Sequence, residues 1–379
     1  DAMESRGLGD VYKRQEEYRE ACNYFNIPGE NMVWADKYGD IGWQAVGIAP
    51  IRKTHSGLVP VSGNGNFEWK DYIDIVEKPN IFNPEKGYIA TANQNVTPED
   101  YDRWDVIGYD WADPYRGDRV NSVLEGKDKF DMEDMINLQV DYFSIPSKQI
   151  IELSKGYINN NFEYFEKLSK WDNVLDKNSV EAGIYIEWQT QIYFEFMREF
   201  VPKEVQKYIE IQIYKVIEGI SKMDNQQKSV FLNKTFDQAI NSLKEKYGEN
   251  SSDWVYGQSN YKHVKIYHPL EKIVNDSIKD IIALKTYPRG GDGFTPGSTS
   301  SELNQRSGGS FRVVINTKDW DNSFATNSPG QSGNPKSEFY KNLYEDWAND
   351  KFFPLLYSKN KILMNLSDRK VFKPLNQSE

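Results

Sequence analysis

Helical periodicity is the strongest constraint on this chain: it begins near Met132 and runs to about residue 285. Pro146, Pro202 and Gly248 punctuate it, and the clearest unit is Phe236–Gly248, "FDQAINSLKEKYG". There Phe236, Ala239, Ile240 and Leu243 recur at helical spacing on one face, and the glycine supplies a stop. Short strand-like runs flank this block. "NMVWAD" (31–36), a "KYGD" turn and "IGWQAVGIAP" (41–50) predict a hairpin turning near Gly39, and "FRVVIN" (311–316) predicts a buried strand. A helix is expected to end over 16–26, closed by Pro28-Gly29, and a polar helix is expected over 337–349. No repeat or interdomain linker separates these parts, which predicts one mixed α/β (α+β) unit over 16–379 with a large helical insertion at about 130–285.

Residues 1–15 do not enter the fold reading. "DVYKRQ" (Asp10–Gln15) is what one frame of the transposon mosaic end used in sequencing libraries encodes, so this stretch reads as an adapter-derived tail. Natural sequence is then expected from about Glu16.

The composition excludes several classes. With 46 Lys+Arg against 57 Asp+Glu, the net charge of -11 disfavours nucleic acid or an anionic membrane as partner. No apolar run reaches the roughly 18 residues of a membrane span. Cys22 is the single cysteine, so a disulfide framework or a cysteine-based zinc site cannot form within the chain. His55, His263 and His268 are scattered without a metal-binding spacing and read as structural. The Gly/Ser/Thr-rich run 289–310 lacks the Lys-Ser/Thr ending and following helix of a phosphate cradle. Ser332 in "GQSG" superficially resembles a nucleophile elbow but has no evident histidine partner.

The stretch that carries chemistry is "NPEKGYIATANQN" (83–95). A short strand over Tyr88–Ala92 is expected to deliver Asn93, Gln94 and Asn95 to its end. A fixed side-chain amide at a strand end is a good N–H donor to an oxyanion; turn chemistry alone accounts for the same amides. Residues 96–118 read as an acidic, aromatic loop ending in "YRGDR" (115–119).

Nine segments, in order, resemble the penicillin acylase family of N-terminal-nucleophile hydrolases. They are "NMVWADKYGDIGWQAVGIAPIR", "GLVPVSG", "NPEKGYIATANQ", "YRGDRV", "LQVDYFS", "KWD", "WVYG", "GGSFRVVIN" and "PGQSGNPKSEFY", spanning about residues 30–357. The resemblance implies a four-layer αββα sandwich, here partial, and a precursor that cuts itself to free an N-terminal serine. That serine attacks an amide with its own α-amine as base. By the same resemblance, the oxyanion-hole asparagine falls on Asn93, and the arginine near the nucleophile's amine falls on Arg119, with Arg116 a competitor. Without the family, Arg119 reads as a loop arginine paired with Asp113 or Asp118.

The family's nucleophile, second oxyanion donor, most of the acyl pocket and the small subunit would precede Glu16. The chain is therefore expected to be the C-terminal part of a large subunit, inactive alone, whose partners are the small subunit, the remainder of the large one and a small N-acylated substrate such as a penicillin or acyl-homoserine lactone. The resemblance implies no cofactor for catalysis, a structural calcium in the full-length protein (Asp105 being unassigned) and periplasmic or secreted location. Two other readings stand beside it. One is an aromatic-rich carbohydrate- or peptide-binding module, suggested by 10 Trp and 24 Tyr; the other is a glycosidase using paired carboxylates such as Asp110 and Asp113.

Overall fold

The computed structural model describes residues 15–52, 54–258, 263–300 and 304–371; the tail expected over residues 1–15 lies outside them except for Gln15. The chain divides into two compact units, Asp1–Leu124 and Glu125–Glu379.

In the first unit, helix α1 (Gln15–Cys22) is followed by strands β1 (Asn31–Ala35), β2 (Ile41–Ala45), β3 (Ala49–Arg52), β4 (Trp69–Ile73) and β5 (Asn80–Phe82). The one-turn helix α2 (Trp104–Ile107) and helix α3 (Tyr115–Glu125) close it. The predicted hairpin is present: β1 and β2 pair antiparallel from Asn31↔Ala45 to Ala35↔Ile41. Its turn forms because Asp36 Oδ1 accepts from the backbone N–H groups of Tyr38, Gly39 and Asp40. Gly39 takes φ +101°, a region open to glycine. β5 adds to the other side of β2, giving the order β1-β2-β5, while β3 and β4 form a separate pair. Cys22, Val46 and Ile75 make a small apolar cluster, with Tyr18, Phe25 and Met32 packed against it. Beside it, buried Lys78 donates from Nζ to the carbonyls of Val46 (2.8 Å) and Gly47 (2.9 Å).

The second unit carries the helical block. Its helices are α4 (Met132–Gln139), α5 (Ile145–Ser154), α6 (Phe162–Lys170), α7 (Val180–Phe200), α8 (Ile213–Lys222) and α9 (Asn225–Tyr247). Pro146 starts α5 rather than breaking a helix, since a first-turn proline loses no intrahelical bond; Ser144 caps that end. The caps of α4, α7 and α9 are Asp131, Ser179 and Asp224, each accepting a backbone N–H of the first turn. The face expected from the sequence is the core of α9: Phe236, Ala239 and Ile240 are fully buried, and Leu243 nearly so. Phe236 sits edge-on against Trp188 of α7 at 4.9 Å between centroids, and Trp188 Nε1 donates to Thr235 Oγ1 at 3.1 Å.

After α9 come β6 (His263–Val264), α10 (Asp276–Ile282), β7 (Tyr287–Pro288), β8 (Arg312–Val314), β9 (Phe324–Thr326), α11 (Tyr344–Ala348), β10 (Phe353–Pro354) and α12 (Lys359–Met364). β8, β9 and β10 form an antiparallel sheet in the order β10-β9-β8, while β6 pairs with β7. The strand expected at 311–316 is β8, with Arg312 and Val314 buried. The polar helix expected over 337–349 shrinks to Tyr344–Ala348, because Ser337 and Asn334 hold the preceding residues in turns. This is a mixed helix-and-sheet fold, as expected.

The glycine-rich run 289–310 serves packing. A Cβ on Gly290, Gly291 or Gly297 would stand 2.8, 2.5 or 2.5 Å from the ring of Tyr142, so the loop is glycine-rich to let that ring in. Fully buried Arg289 completes the contact: it stacks on Trp347 at 4.5 Å and donates to Asp350 Oδ1 (2.5 Å) and to the Tyr142 hydroxyl (3.2 Å).

Candidate active site around Asn93

Residues 88–92 do not form a strand, where the sequence predicts one ending at Ala92. No described strand lies alongside to complete a ladder, so the segment takes its hydrogen bonds from elsewhere. Gln94 provides two of them from its own side chain: Oε1 accepts from the Ala92 N–H (2.6 Å) and Nε2 donates to the Ala90 carbonyl (3.4 Å).

Helix α3 anchors this segment. "YRGDR", expected as a loop, is the first turn of that helix. A Cβ on Gly117 would lie 2.4 Å from Gln94 Cδ, so only glycine admits the folded-back glutamine against the helix. The Asn93 carbonyl accepts from the Ala112 N–H at 3.2 Å, just before the helix starts. Asn93 itself is left-handed, with φ +66°, a conformation asparagine tolerates better than most residues.

Its side chain is fixed by Arg116, whose Nη2 donates to Asn93 Oδ1 at 2.7 Å. A guanidinium has donors and no acceptor, so the amide atom facing it must be the oxygen. The –NH₂ group is therefore turned away from the arginine, a donor with its direction set. Burial lowers the Arg116 pKa from its usual value, yet an arginine remains protonated at working pH. The bond is thus charge-assisted. The N-terminal end of α3 adds a positive backbone dipole near the same point, opposed in part by Asp118 in its first turn.

Of the site residues expected from sequence, Asn93 and Arg116 meet. Arg119 lies one turn along α3, where its carbonyl accepts from Ser122 Oγ at 2.9 Å. Asn95 is a turn residue: Oδ1 accepts from the Thr97 N–H at 3.0 Å. The contributions of Gln94, Ala112 and Gly117 were not anticipated; the Arg-Gly pair following the amide cluster is the signal that could have shown them.

The other candidates are accounted for locally. Ser332 Oγ accepts from the Asn334 N–H at 3.2 Å, which makes it part of a turn. His55 Nε2 contacts the Phe67 carbonyl at 2.9 Å, His263 is buried in β6, and His268 caps a 3₁₀ turn through Nδ1. Among the described residues no cluster of three His, Cys, Asp or Glu is placed to hold a metal ion; the side chain of Asp105 lies outside the description. Part of the aromatic content is core: Trp43, Trp188, Trp254 and Trp347 are buried, whereas Trp69 and Trp320 are exposed. No helix among the described residues is long and apolar enough to cross a membrane.

A side-chain amide fixed by an arginine on a mixed α/β scaffold is what this geometry offers, and comparison with known proteins identifies the family. The chain belongs to the penicillin amidase family, whose profile matches residues 11–363. It is similar to the acyl-homoserine lactone acylase QuiP of Pseudomonas fluorescens, at 25% identity over 367 residues, covering 86% of this chain and 43% of that protein. It is also similar to the penicillin acylase 2 proenzyme of Pseudomonas sp. strain SE83, at 24% identity, covering 90% of this chain and 46% of the relative. Among solved structures, a thermostable penicillin G acylase from Alcaligenes faecalis superposes with a TM-score of 0.70 at 15% identity, over 97% of this chain and 71% of that one. That likeness establishes the penicillin-acylase fold. The chain spans less than half the length of these curated relatives.

Proposed function

We propose that this chain supplies the oxyanion-stabilising part of a self-processing amidohydrolase that removes N-acyl groups from small amines, with acyl-homoserine lactones and penicillins as the substrate classes. The observation that carries the reading is the Arg116–Asn93 bond, which leaves the Asn93 Nδ2 group as a preset donor. When a nucleophile attacks an amide carbonyl, negative charge collects on the oxygen. A donor already aimed at that position stabilises it without reorganising.

The nucleophile in this reading is an N-terminal serine from polypeptide other than these 379 residues. Its α-amine, with a reference pKa of about 7.7–8.0, would take the hydroxyl proton and later return one to the leaving amine. The internal serine that looked most like a nucleophile, Ser332, is engaged in a turn. Arg116 acts on the asparagine as a positioning residue, and Arg119 retains the role of tuning the nucleophile's amine. No step uses a metal.

Release of free amine from N-acyl-homoserine lactones and from penicillin G, assayed on the gene product that contains this chain, tests the proposal. Asn93→Ala should lower kcat by about 10²–10³ while KM changes far less. Substrate turnover equal to wild type in that variant would remove Asn93 from the chemistry.

A further inference from the structure

We propose that Gln94 is a positioning residue for the reaction: it bonds across Asn93 and locks the Asn93 backbone in the conformation that presents the side-chain amide, with Gly117 of α3 as its seat. The inference rests on the oxyanion role proposed for Asn93 and names the residues that act through it.

Asn93 stands at φ +66°, a conformation that costs any residue with a side chain. Left unrestrained, its backbone would return to the ordinary wells at negative φ. Gln94 removes that freedom. Its Oε1 accepts from the N–H of Ala92, on the far side of Asn93, at 2.6 Å, and so closes a small ring through the Asn93 backbone. Its Nε2 reaches further back, to the Ala90 carbonyl at 3.4 Å. A flip of Asn93 to negative φ opens this ring and swings the side chain away from the Arg116 Nη2 that fixes its oxygen.

Helix α3 secures both parts of the arrangement with consecutive residues. Arg116 holds the Asn93 side chain, and Gly117 seats the Gln94 amide. A Cβ on Gly117 would stand 2.6 Å from Gln94 Nε2 and 2.8 Å from Oε1, so the amide lies against bare helix backbone. Gly117 is not among the glycines at positive φ, and its place inside a helix disfavours glycine. What the glycine supplies there is room for Gln94.

A double-mutant cycle in the gene product that contains this chain tests the proposal, with release of homoserine lactone as the readout. Gln94→Met keeps the volume and removes both bonds; kcat should fall about ten-fold with little change in KM. Gln94→Glu keeps the acceptor for Ala92 and should recover most of that loss. Gly117→Ala, which displaces the amide from its seat, should slow the enzyme by a similar factor. On an Asn93→Ala background neither Gln94→Met nor Gly117→Ala should slow the reaction further, because the residue they act through is gone. Asn95→Ala, whose lost bond to Thr97 lies outside the ring, should be silent. If Gln94→Met does not process, the cycle is run with Gly117→Ala. Wild-type kcat in Gln94→Met and Gly117→Ala, beside a slowed Asn93→Ala, would overturn the inference and leave the role of Asn93 standing. Equal losses with and without Asn93, or an equal loss in Asn95→Ala, would reduce Gln94 to a structural residue of the segment. Wild-type turnover in Asn93→Ala would instead overturn the proposed function, and this inference with it.

Discussion

The α7–α9 pair and the segment from Asn83 to Arg119 solve the same problem with different means. Inside the helices each residue finds its backbone partner four positions away, the first turns being capped by Ser179 and Asp224, and the apolar stripe finds its counterpart on the next helix. Trp188, Phe236 and Ile240 are fully buried as a result. The Asn83–Arg119 segment has no such local solution. It holds its course through Gln94 bonding its own backbone, a glycine on α3, and one arginine–amide bond. Stability is concentrated in the first region, and a directed, solvent-facing donor in the second. A site needs an exposed polar group in one orientation, so the second region gives up burial to obtain it.

That contrast is broken most directly in the helices. Phe236→Ala removes a fully buried ring in contact with Trp188 and Phe165, and should cost about 3–5 kcal/mol in urea denaturation of the whole chain. A loss below 1 kcal/mol would mean that the pair is not the stabilising core. Gly183→Ala tests the close approach of α7 to the Trp254 carbonyl, where the added Cβ would stand only 1.9 Å from the oxygen. Overpacking of this kind should cost about 1–3 kcal/mol, read by the same titration. An unchanged midpoint would show that the helix can shift away.

Arg116→Met probes the second region. It should change the denaturation midpoint little, since the residue is only half-buried and methionine keeps most of its aliphatic stem, yet lower kcat with little change in KM. Equal losses in stability and activity would make Arg116 a structural residue.

The smallest effect expected is a pH dependence at Asp321. Its Oδ1 accepts from the backbone N–H groups of Tyr357 and Ser358, both at 2.9 Å, and bonds from Ser358 and Tyr357 hold its pKa down at about 2. The unfolded reference is about 3.9, so the folded state favours the ionised form. Its contribution is complete above roughly pH 4 and fades as pH falls toward 2. Thermal melts of wild type and Asp321→Asn should converge over that window; a constant gap would show that the carboxylate contributes nothing through ionisation.

The same division explains what was legible in the sequence. The buried face of α9 and the β1–β2 hairpin could be read directly, because periodicity and the Asp36–Gly39 turn are local. β8 was legible as an apolar run between a glycine-rich loop and Asn316. Tyr88–Ala92 was misread as a strand because its composition is strand-like, whereas strand assignment depends on a neighbour that composition does not report. "YRGDR" was misread as a loop because its glycine looked like punctuation; in the structure that glycine makes room for Gln94 on the helix. Family order singles out Asn93 as a candidate, while its bond to Arg116 depends on which face of α3 turns toward it, which the sequence does not report.

In the proposed function Asn93 acts through its N–H₂ group while Arg116 holds its oxygen. Asn93→Asp separates the two, since it keeps the oxygen that Arg116 grips and replaces the donor by an acceptor. Measured as kcat for release of homoserine lactone by the gene product that contains this chain, the variant should fold and process as wild type yet lose about 10²–10³ in rate. Wild-type kcat in Asn93→Asp would show that the Asn93 amide donates nothing to the reaction.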